Sequence, residues 1–300
     1  MPFDIIGIGE HSIDYVYRLP RLPNGGSPDK LPISNAHVSP GGQVATTLCT
    51  CTALGLSASY VGAFGTDDNG RLIRDTLTRH GVDTSHAVVR EGTSRYAVIL
   101  VDEGTGERVV LWHRDPAVVV RRESITQDVI ASARLLHVDS TDEALAIHAA
   151  TLARQSGVPV TSDIDHVTPR TRELVAAVSI PIFGAGVPEA ITGEADAERA
   201  LRALRQEHDG LLCVTRGTHG ALLLDGDTLH TVAAHAVDAV DTTGAGDVFR
   251  GAFIHALLRG RTPAEILAFA NAAAAVSCTR EGAIDSVPTL ADVERLLAGA

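Results

Sequence analysis

The sequence predicts an α/β fold in which helices cover a central, mainly parallel sheet. Three observations carry this. Short apolar runs of strand length recur along the chain, segments with helix caps and stops separate them, and 300 residues at 45% hydrophobic content are enough to bury one large core. No repeat, low-complexity tract or linker divides the chain, so residues 1–300 are expected to form a single domain.

Phe3 to Gly9 is an apolar run suited to a buried strand. Ala58 to Ala63, Leu135 to Val138, Val158 to Ile164, Ile180 to Phe183 and Leu211 to Thr215 are runs of the same kind. Helices are expected between them. Asp67 suits an N-cap, Leu72, Ile73 and Leu77 give the following helix an apolar side, and Gly81 lies beyond its end. Asp142 to Ser156 reads as another helix, stopped by Gly157 and Pro159. Two segments break the rhythm. Ser12 to Val38 is rich in Pro and Gly, and Arg95 to His113 alternates as two strands, Tyr96 to Val101 and Arg108 to Trp112, around the polar turn DEGTGE.

Composition narrows the function. A formal net charge of −12, with acidic and basic residues interspersed, opposes a broad nucleic-acid surface, which needs a concentrated basic face. A local pocket for an anionic small molecule stays open. The longest apolar stretch, Ala264 to Cys278, is too short for a bilayer and carries Glu265 and Asn271, so no membrane role is expected. Met1 to Gly9 lacks the basic start of a secretory signal and contains Asp4, so a cytoplasmic enzyme is expected. Cys49, Cys51, Cys213 and Cys278 lack the paired spacing of a zinc site, and the 13 histidines show no metal-binding repeat. Cys49 and Cys51 fall two apart in an expected helix, hence on different faces, and buried reduced thiols are expected.

Two glycine-rich stretches compete as nucleotide signals. Gly7-Ile8-Gly9-Glu10-His11-Ser12 imitates a dinucleotide fingerprint, with Ser12 where a third glycine belongs. That fingerprint must open a helix, but Pro20, Pro23, Gly25, Gly26 and Pro28 follow and leave none to receive a pyrophosphate. Asp241 to Phe253, DTTGAGDVFRGAF, has the required context because it runs straight into an apolar helix. Small residues at Gly244, Ala245 and Gly246 let several N–H groups turn into one concavity, and the helix adds the positive end of its dipole. Asp247 stands at the helix start, where a carboxylate can take the proton of a hydroxyl attacking phosphorus. An ordinary capped helix is the plain alternative, since Asp favours the N-cap.

This segment resembles the C-terminal signature of the ribokinase-like (PfkB) family of sugar and nucleoside kinases. Ser39 to Gly55, SPGGQVATTLCTCTALG, looks like the family's Gly-Gly substrate motif, and Val61 to Ser85 follows its usual continuation. Val214 to Leu223 and Asn271 to Thr289 resemble the two nucleotide-side segments. The resemblance spans nearly the whole chain. It implies a three-layer α/β sandwich with a small β-sheet lid, contributed by about 12–38 and 95–113, that closes over the sugar and often provides a dimer surface. A homodimer through the lid is therefore expected. Lid closure would exclude the water that competes with the sugar hydroxyl, whereas a surface hairpin without gating is the alternative.

The resemblance also implies site residues. Asp14 matches the early acidic position that receives sugar hydroxyls, and Gly41 and Gly42 match the glycines that let a sugar approach the backbone. Asp139 falls where many relatives place a second acidic contact, or it caps the helix nearby. Thr215, Gly217 and Gly220 match the loop beside ATP, and Asn271 lies in the helix flanking the base. Asp241, Thr243, Gly282 and Ser286 match the region where relatives hold a monovalent cation such as K⁺, mostly through backbone oxygens.

Departures from the family pattern are informative. Thr46 stands where relatives commonly carry Asn, and a hydroxyl cannot reproduce the paired donor and acceptor of an amide. Gly184 to Val187 aligns with an Asn-x-x-Glu element tied to magnesium and phosphate, so no carboxylate or amide remains there. Asp163 and Asp165, at the end of an expected strand, are the candidates to order Mg²⁺-bound water; capping the turn is their alternative role. Gly-Gly followed by Thr, SDIDHVTP and DVFRGAF look closest to the branch containing sulfofructose kinase and ketohexokinase. Lys30 aligns with a basic residue near the sulfonate of the former, yet Thr141 stands where an arginine belongs. Arg114, beside Trp112 and His113, is a second candidate for an anionic substituent, or a plain surface arginine.

The expected function is an ATP-dependent sugar kinase that transfers the γ-phosphoryl group to a hydroxyl of a small sugar, with a ketose or an anionic sugar derivative as the candidates. Asp247 would deprotonate a primary hydroxyl, the Gly244 to Gly246 turn would stabilise the transferred phosphoryl group, and Mg²⁺ would bridge the ATP phosphates. A nucleoside kinase of the same fold and a non-catalytic sugar or nucleotide sensor are the alternatives. The altered Gly184 to Val187 element favours the sensor, and the intact Asp247 opposes it.

Overall fold

The computed structural model describes residues 3–23 and 30–299, so Gly25, Gly26 and Pro28 lie outside the described residues. The first third of the chain forms β1 (Phe3–Ile8), β2 (Ser12–Leu19), β3 (Asn35–Gly41), α1 (Gln43–Ala53), β4 (Ala58–Val61), β5 (Ala63–Gly65), α2 (Asp68–Arg79), β6 (Val82–Asp83), β7 (Val88–Arg90), β8 (Tyr96–Asp102) and β9 (Arg108–His113). The middle forms α3 (Gln127–Ala131), β10 (Ala133–Asp139), α4 (Glu143–Gln155), β11 (Val160–Ile164), α5 (Thr171–Ala177), β12 (Ile180–Phe183), α6 (Val187–Thr192) and α7 (Ala197–Leu204). The last part forms β13 (Leu212–Thr215), β14 (Ala221–Asp225), β15 (Thr228–Val232), α8 (Ala245–Leu258), α9 (Pro263–Ser277) and α10 (Leu290–Leu297).

Nine strands build the main sheet in the order β15-β14-β13-β12-β11-β10-β1-β4-β6. Every pairing from β13 through β6 is parallel, and only the β13–β14 and β14–β15 hairpins are antiparallel. Helices cover both faces. Ile6, Leu136, Val138 and Val160 pack with Ala149 and Ala153 of α4 and Leu174 of α5. Their chain neighbours Ile5 and Leu135 instead pack with Val44 and Leu48 of α1. Adjacent strand residues point to opposite faces, so a sheet covered on both sides needs continuous apolar runs rather than alternation. Those runs made the strands legible in the sequence.

Three local expectations are corrected. The run Ala58 to Ala63 divides at Gly62, where an added Cβ would collide with the Tyr60 ring, and β5 leaves to pair with β7 in a separate two-stranded sheet. Leu72 is exposed, whereas Ile73 and Leu77 of α2 are buried. The cap of α4 is Asp142, whose side chain accepts from Leu145 N at 3.1 Å, so Asp139 is left for another task.

The segments that break the rhythm form one four-stranded sheet, β3-β2-β8-β9, that stands off the main sheet. β2 pairs antiparallel with β3 and parallel with β8, and β8 pairs antiparallel with β9. Cys49 and Cys51 are both fully buried, because α1 is covered on nearly all sides, and the four cysteines are free thiols. Among the described residues no helix is long and apolar enough to cross a membrane.

The helix that carries Asp247 is held by a close crossing. At Gly251 of α8 an added Cβ would lie 2.5 Å from Thr50 Cβ and 2.7 Å from Thr47 O of α1. Thr47 Oγ1 also donates to the Asp247 carbonyl at 3.2 Å. Gly251→Ala is therefore expected to force the helices apart and to destabilise the fold by about 1–3 kcal/mol, as overpacking does. Urea unfolding with an unchanged midpoint would show that the crossing tolerates the methyl group.

Candidate active site

Two backbone features and one side chain mark the start of α8. Gly244 caps the helix in the left-handed region, at φ 76°, which reverses the chain tightly before Ala245 and Gly246. Ala245 N donates to Thr242 O at 3.3 Å, whereas the Gly246 and Asp247 N–H groups have no carbonyl within the helix to bond, which suits them to an anion. Asp247 follows within that first turn and lines a cleft of about 450 Å³.

The cleft lies between the main sheet and the inner face of the lid. Gly244 and Asp247 share its lining with Asp14, Gly42, Arg114 and Asp165. Asp14 accepts from Ser12 Oγ at 2.7 Å, and burial raises its carboxyl above the usual range. At Gly42, φ is 102° and a Cβ would strike the His11 backbone, so only glycine lets β3 turn into α1 here. Gly41 pairs with Ser12 in the lid sheet just behind this turn. Arg114 is exposed and reaches the Thr141 carbonyl at 3.5 Å.

Other expected substrate residues lie elsewhere. Thr46 is fully buried in α1 under the Gly244 turn, where an added Cβ at Gly244 would lie 3.5 Å from its methyl group. Asp139 is buried and accepts from Glu10 N at 2.6 Å and Thr141 N at 3.0 Å, joining the ends of β1 and β10. Burial raises its carboxyl against those hydrogen bonds. Asp139 borders a smaller space of about 60 Å³ behind the cleft. Lys30 is exposed and does not line the cleft.

The residues expected to meet the nucleotide lie along the sheet toward β13. Thr215 Oγ1 donates to Phe183 O at 3.3 Å, tying β13 to β12. Gly217 and Gly220 take φ of 54° and 76° in the turn that leads to β14, and a Cβ at Gly220 would collide with Val232 O. Asn271 donates its amide to the Ala233 carbonyl at 2.7 Å, which fastens the chain after β15 to α9. The structure also joins Asp241, Thr243 and Gly282: Asp241 accepts from Thr243 N at 2.9 Å and from Gly282 N at 3.0 Å. Burial pushes the Asp241 carboxyl up, but these hydrogen bonds win and lower it overall. Ser286 is buried and donates to Ala283 O at 2.9 Å.

Asp163 and Asp165, two residues apart at the end of β11, face different surroundings. Asp165 lines the cleft, half exposed, 2.5 Å from His166 Nδ1. Asp163 is buried and 2.5 Å from Arg250 Nη2, and its carboxyl lies near that of Asp247. Asp163 therefore already faces a cation, and Asp165 is the one of the pair open to the cleft. Burial raises Asp163 to about 7 against the pull of Arg250. Burial and then the Asp163 charge raise Asp247 well above the carboxylate range. An ionised Asp247 is needed to accept a proton, so turnover is expected to climb as pH rises above the ordinary carboxylate range and Asp247 ionises. A kcat/KM profile over about pH 5.5–8.5 checks this, and a flat profile would contradict it.

Sequence reasoning missed Glu10, Gln43, Arg95 and His166, all of which line the cleft. Arg95 Nε lies 2.7 Å from Glu10 Oε1, a pair 85 positions apart that nothing local announces. Burial raises Glu10 to about 7, with Arg95 opposing. Gln43 directly follows Gly42 and accepts from Thr141 Oγ1 at 3.3 Å, so its place beside the Gly-Gly pair was a usable signal.

Comparison with known proteins agrees with this geometry. Residues 3–290 match the model of the pfkB family carbohydrate kinase. The chain is 30% identical to "Probable fructokinase-5" of Arabidopsis thaliana, covering 98% of this chain and 97% of that protein. It is 28% identical to a ribokinase of Haemophilus influenzae, covering 94% of each. The structure of Arabidopsis thaliana ribokinase complexed with ribose and ATP superposes with a TM-score of 0.86 at 25% identity, over 99% of both chains. A cleft with a carboxylate at a glycine-capped helix start, inside a fold matched along almost its full length, leads to one conclusion: the chain belongs to the pfkB family of carbohydrate kinases, phosphotransferases that act on an alcohol group.

Proposed function

We propose that the protein transfers the γ-phosphoryl group of ATP to a hydroxyl of a small, neutral ketose. The observation that carries this reading is that Asp247 and the Gly244 turn open onto the same cleft as Asp14, Gly42 and Gln43. Asp14 can accept hydrogen bonds from two sugar hydroxyls, and Gln43 can both donate and accept. As Asp247 takes the hydroxyl proton, the oxygen bonds to the γ-phosphorus, the bond to the β,γ-bridging oxygen breaks, and ADP leaves. N–H groups at the start of α8 would meet the charge on the transferred group. Asp165 fits a Mg²⁺ that is held chiefly by ATP phosphates, because such an ion needs one or two carboxylates and keeps most of its water. When bound, it would supply neutralisation of phosphate charge.

Charge favours a neutral acceptor. Glu10, Asp14, Asp165 and Asp247 line the cleft against Arg95 and Arg114, and Glu10 already engages Arg95. Arg114 supports an anionic sugar derivative as the second reading, in keeping with the sulfofructose kinase and ketohexokinase branch. The names of the fructokinase relatives support a ketose. ADP release measured with D-fructose, D-ribose, a sugar acid and nucleosides decides between these. Preference for D-fructose supports the proposal, preference for a nucleoside replaces it, and ATP binding without ADP release from any acceptor would make the protein a sensor. On β9, Val109 and Leu111 are exposed, which fits a homodimer through the lid; light scattering of the purified protein tests it. Asp241, Thr243, Gly282 and Ser286 fit a monovalent cation site that K⁺ activation of the same assay would reveal.

A further inference from the structure

Asp247 is not held by its own helix alone. Arg250 follows it by three residues, and long side chains on a helix lean back toward the N-terminus, so Arg250 returns over the turn that carries the base. Its Nη1 lies 2.8 Å from where a Cβ on Gly246 would sit, so the guanidinium packs directly against that turn. Its Nη2 is 2.5 Å from Asp163 Oδ1, with Arg250 4% and Asp163 1% exposed. Asp163, from a different layer of the fold, lies near the Asp247 carboxyl.

Burying this arrangement carries a large desolvation penalty. An apolar side chain of similar volume would fill the space under α8 without desolvating a guanidinium. Arg250 Nε has no partner, so the cation is not retained in order to satisfy many neighbouring groups. What it does reach is the buried carboxylate beside the base. Building on the kinase reading above, we propose that Arg250 is a positioning residue for phosphoryl transfer: paired with Asp163 and packed against Gly246, it braces the first turn of α8 and so directs the Asp247 carboxyl at the acceptor cleft. A displacement of about 1 Å at such a group is enough to cost on the order of a hundredfold in rate.

The test compares Arg250→Lys, Asp163→Asn and the double variant. Lysine keeps the buried charge but lacks the planar fork that spans Gly246 and Asp163. With D-fructose and Mg-ATP, each single variant is expected to lose about 10- to 100-fold in kcat, with both KM values within about threefold of wild type. The double variant is expected to be no slower than the worse single, because both changes break one path. In a crystal structure of Arg250→Lys, the Asp247 carboxyl is expected to have turned away from its wild-type direction. The proposal is overturned if kcat stays within twofold of wild type, if the two losses multiply, or if Asp247 is unmoved in the variant crystal. Wild-type protein that phosphorylates no sugar would defeat the kinase reading instead, and the crystallographic comparison would still decide the role of Arg250.

Discussion

Asp247→Asn is expected to lower kcat by about two to four orders of magnitude while leaving the fold and the affinity for ATP close to wild type. The substitution is nearly isosteric and removes the one property a general base requires. The amide introduced by the substitution can still donate to Asp163, which lies near that position. α8 keeps its other anchors, with Thr47 Oγ1 on the backbone carbonyl of that same position and Gly251 against Thr50. A loss confined to kcat, with unchanged thermal unfolding and nucleotide binding, assigns Asp247 to the chemical step. Turnover within tenfold of wild type would mean that the proton leaves by another route.

Gly244→Ala is expected to be nearly as damaging through the backbone. The alanine must take φ near 76°, where its Cβ meets the following carbonyl, and that Cβ would sit 2.9 Å from both Cα and Cβ of Ala283. The turn cannot keep its place, so the N–H groups at the start of α8, Gly246 among them, lose their aim at the transferred phosphoryl group. Removing one preorganised donor of this kind costs on the order of 100- to 1000-fold in kcat. The loss is expected in turnover more than in overall stability, because residues 241–244 lie outside the helix and strand ladders. Steady-state kinetics beside thermal unfolding separate the two. Near-normal kcat would show that this turn is a helix cap only.

How much was legible follows from how local each signal is. The parallel strands could be read because burial on both faces demands unbroken apolar runs, and Ile180 to Phe183 is found at the residues expected. The hairpin β8–β9 could be read because alternation and a polar turn are neighbours in the chain. The break at Gly62 could not, since it depends on where the Tyr60 ring lies. Thr46 reads as a sugar contact from its place in a motif, yet α1 turns it beneath Gly244. Glu10 reads as part of a failed nucleotide motif until folding brings Arg95 against it.

By itself the sequence determined the α/β class, the glycine-capped helix start and the carboxylate that follows it. Each of these depends on residues within a few positions of one another, where backbone geometry is set by local sterics and hydrogen bonding. Only the tertiary structure decided which charges meet. Arg250 could have faced solvent, and Asp163 could have faced a metal-bound water; packing α8 over the end of β11 buried both and placed them under Asp247. Ion pairs between distant segments leave no periodic trace in a chain, because their energy exists only once the layers have closed and excluded water.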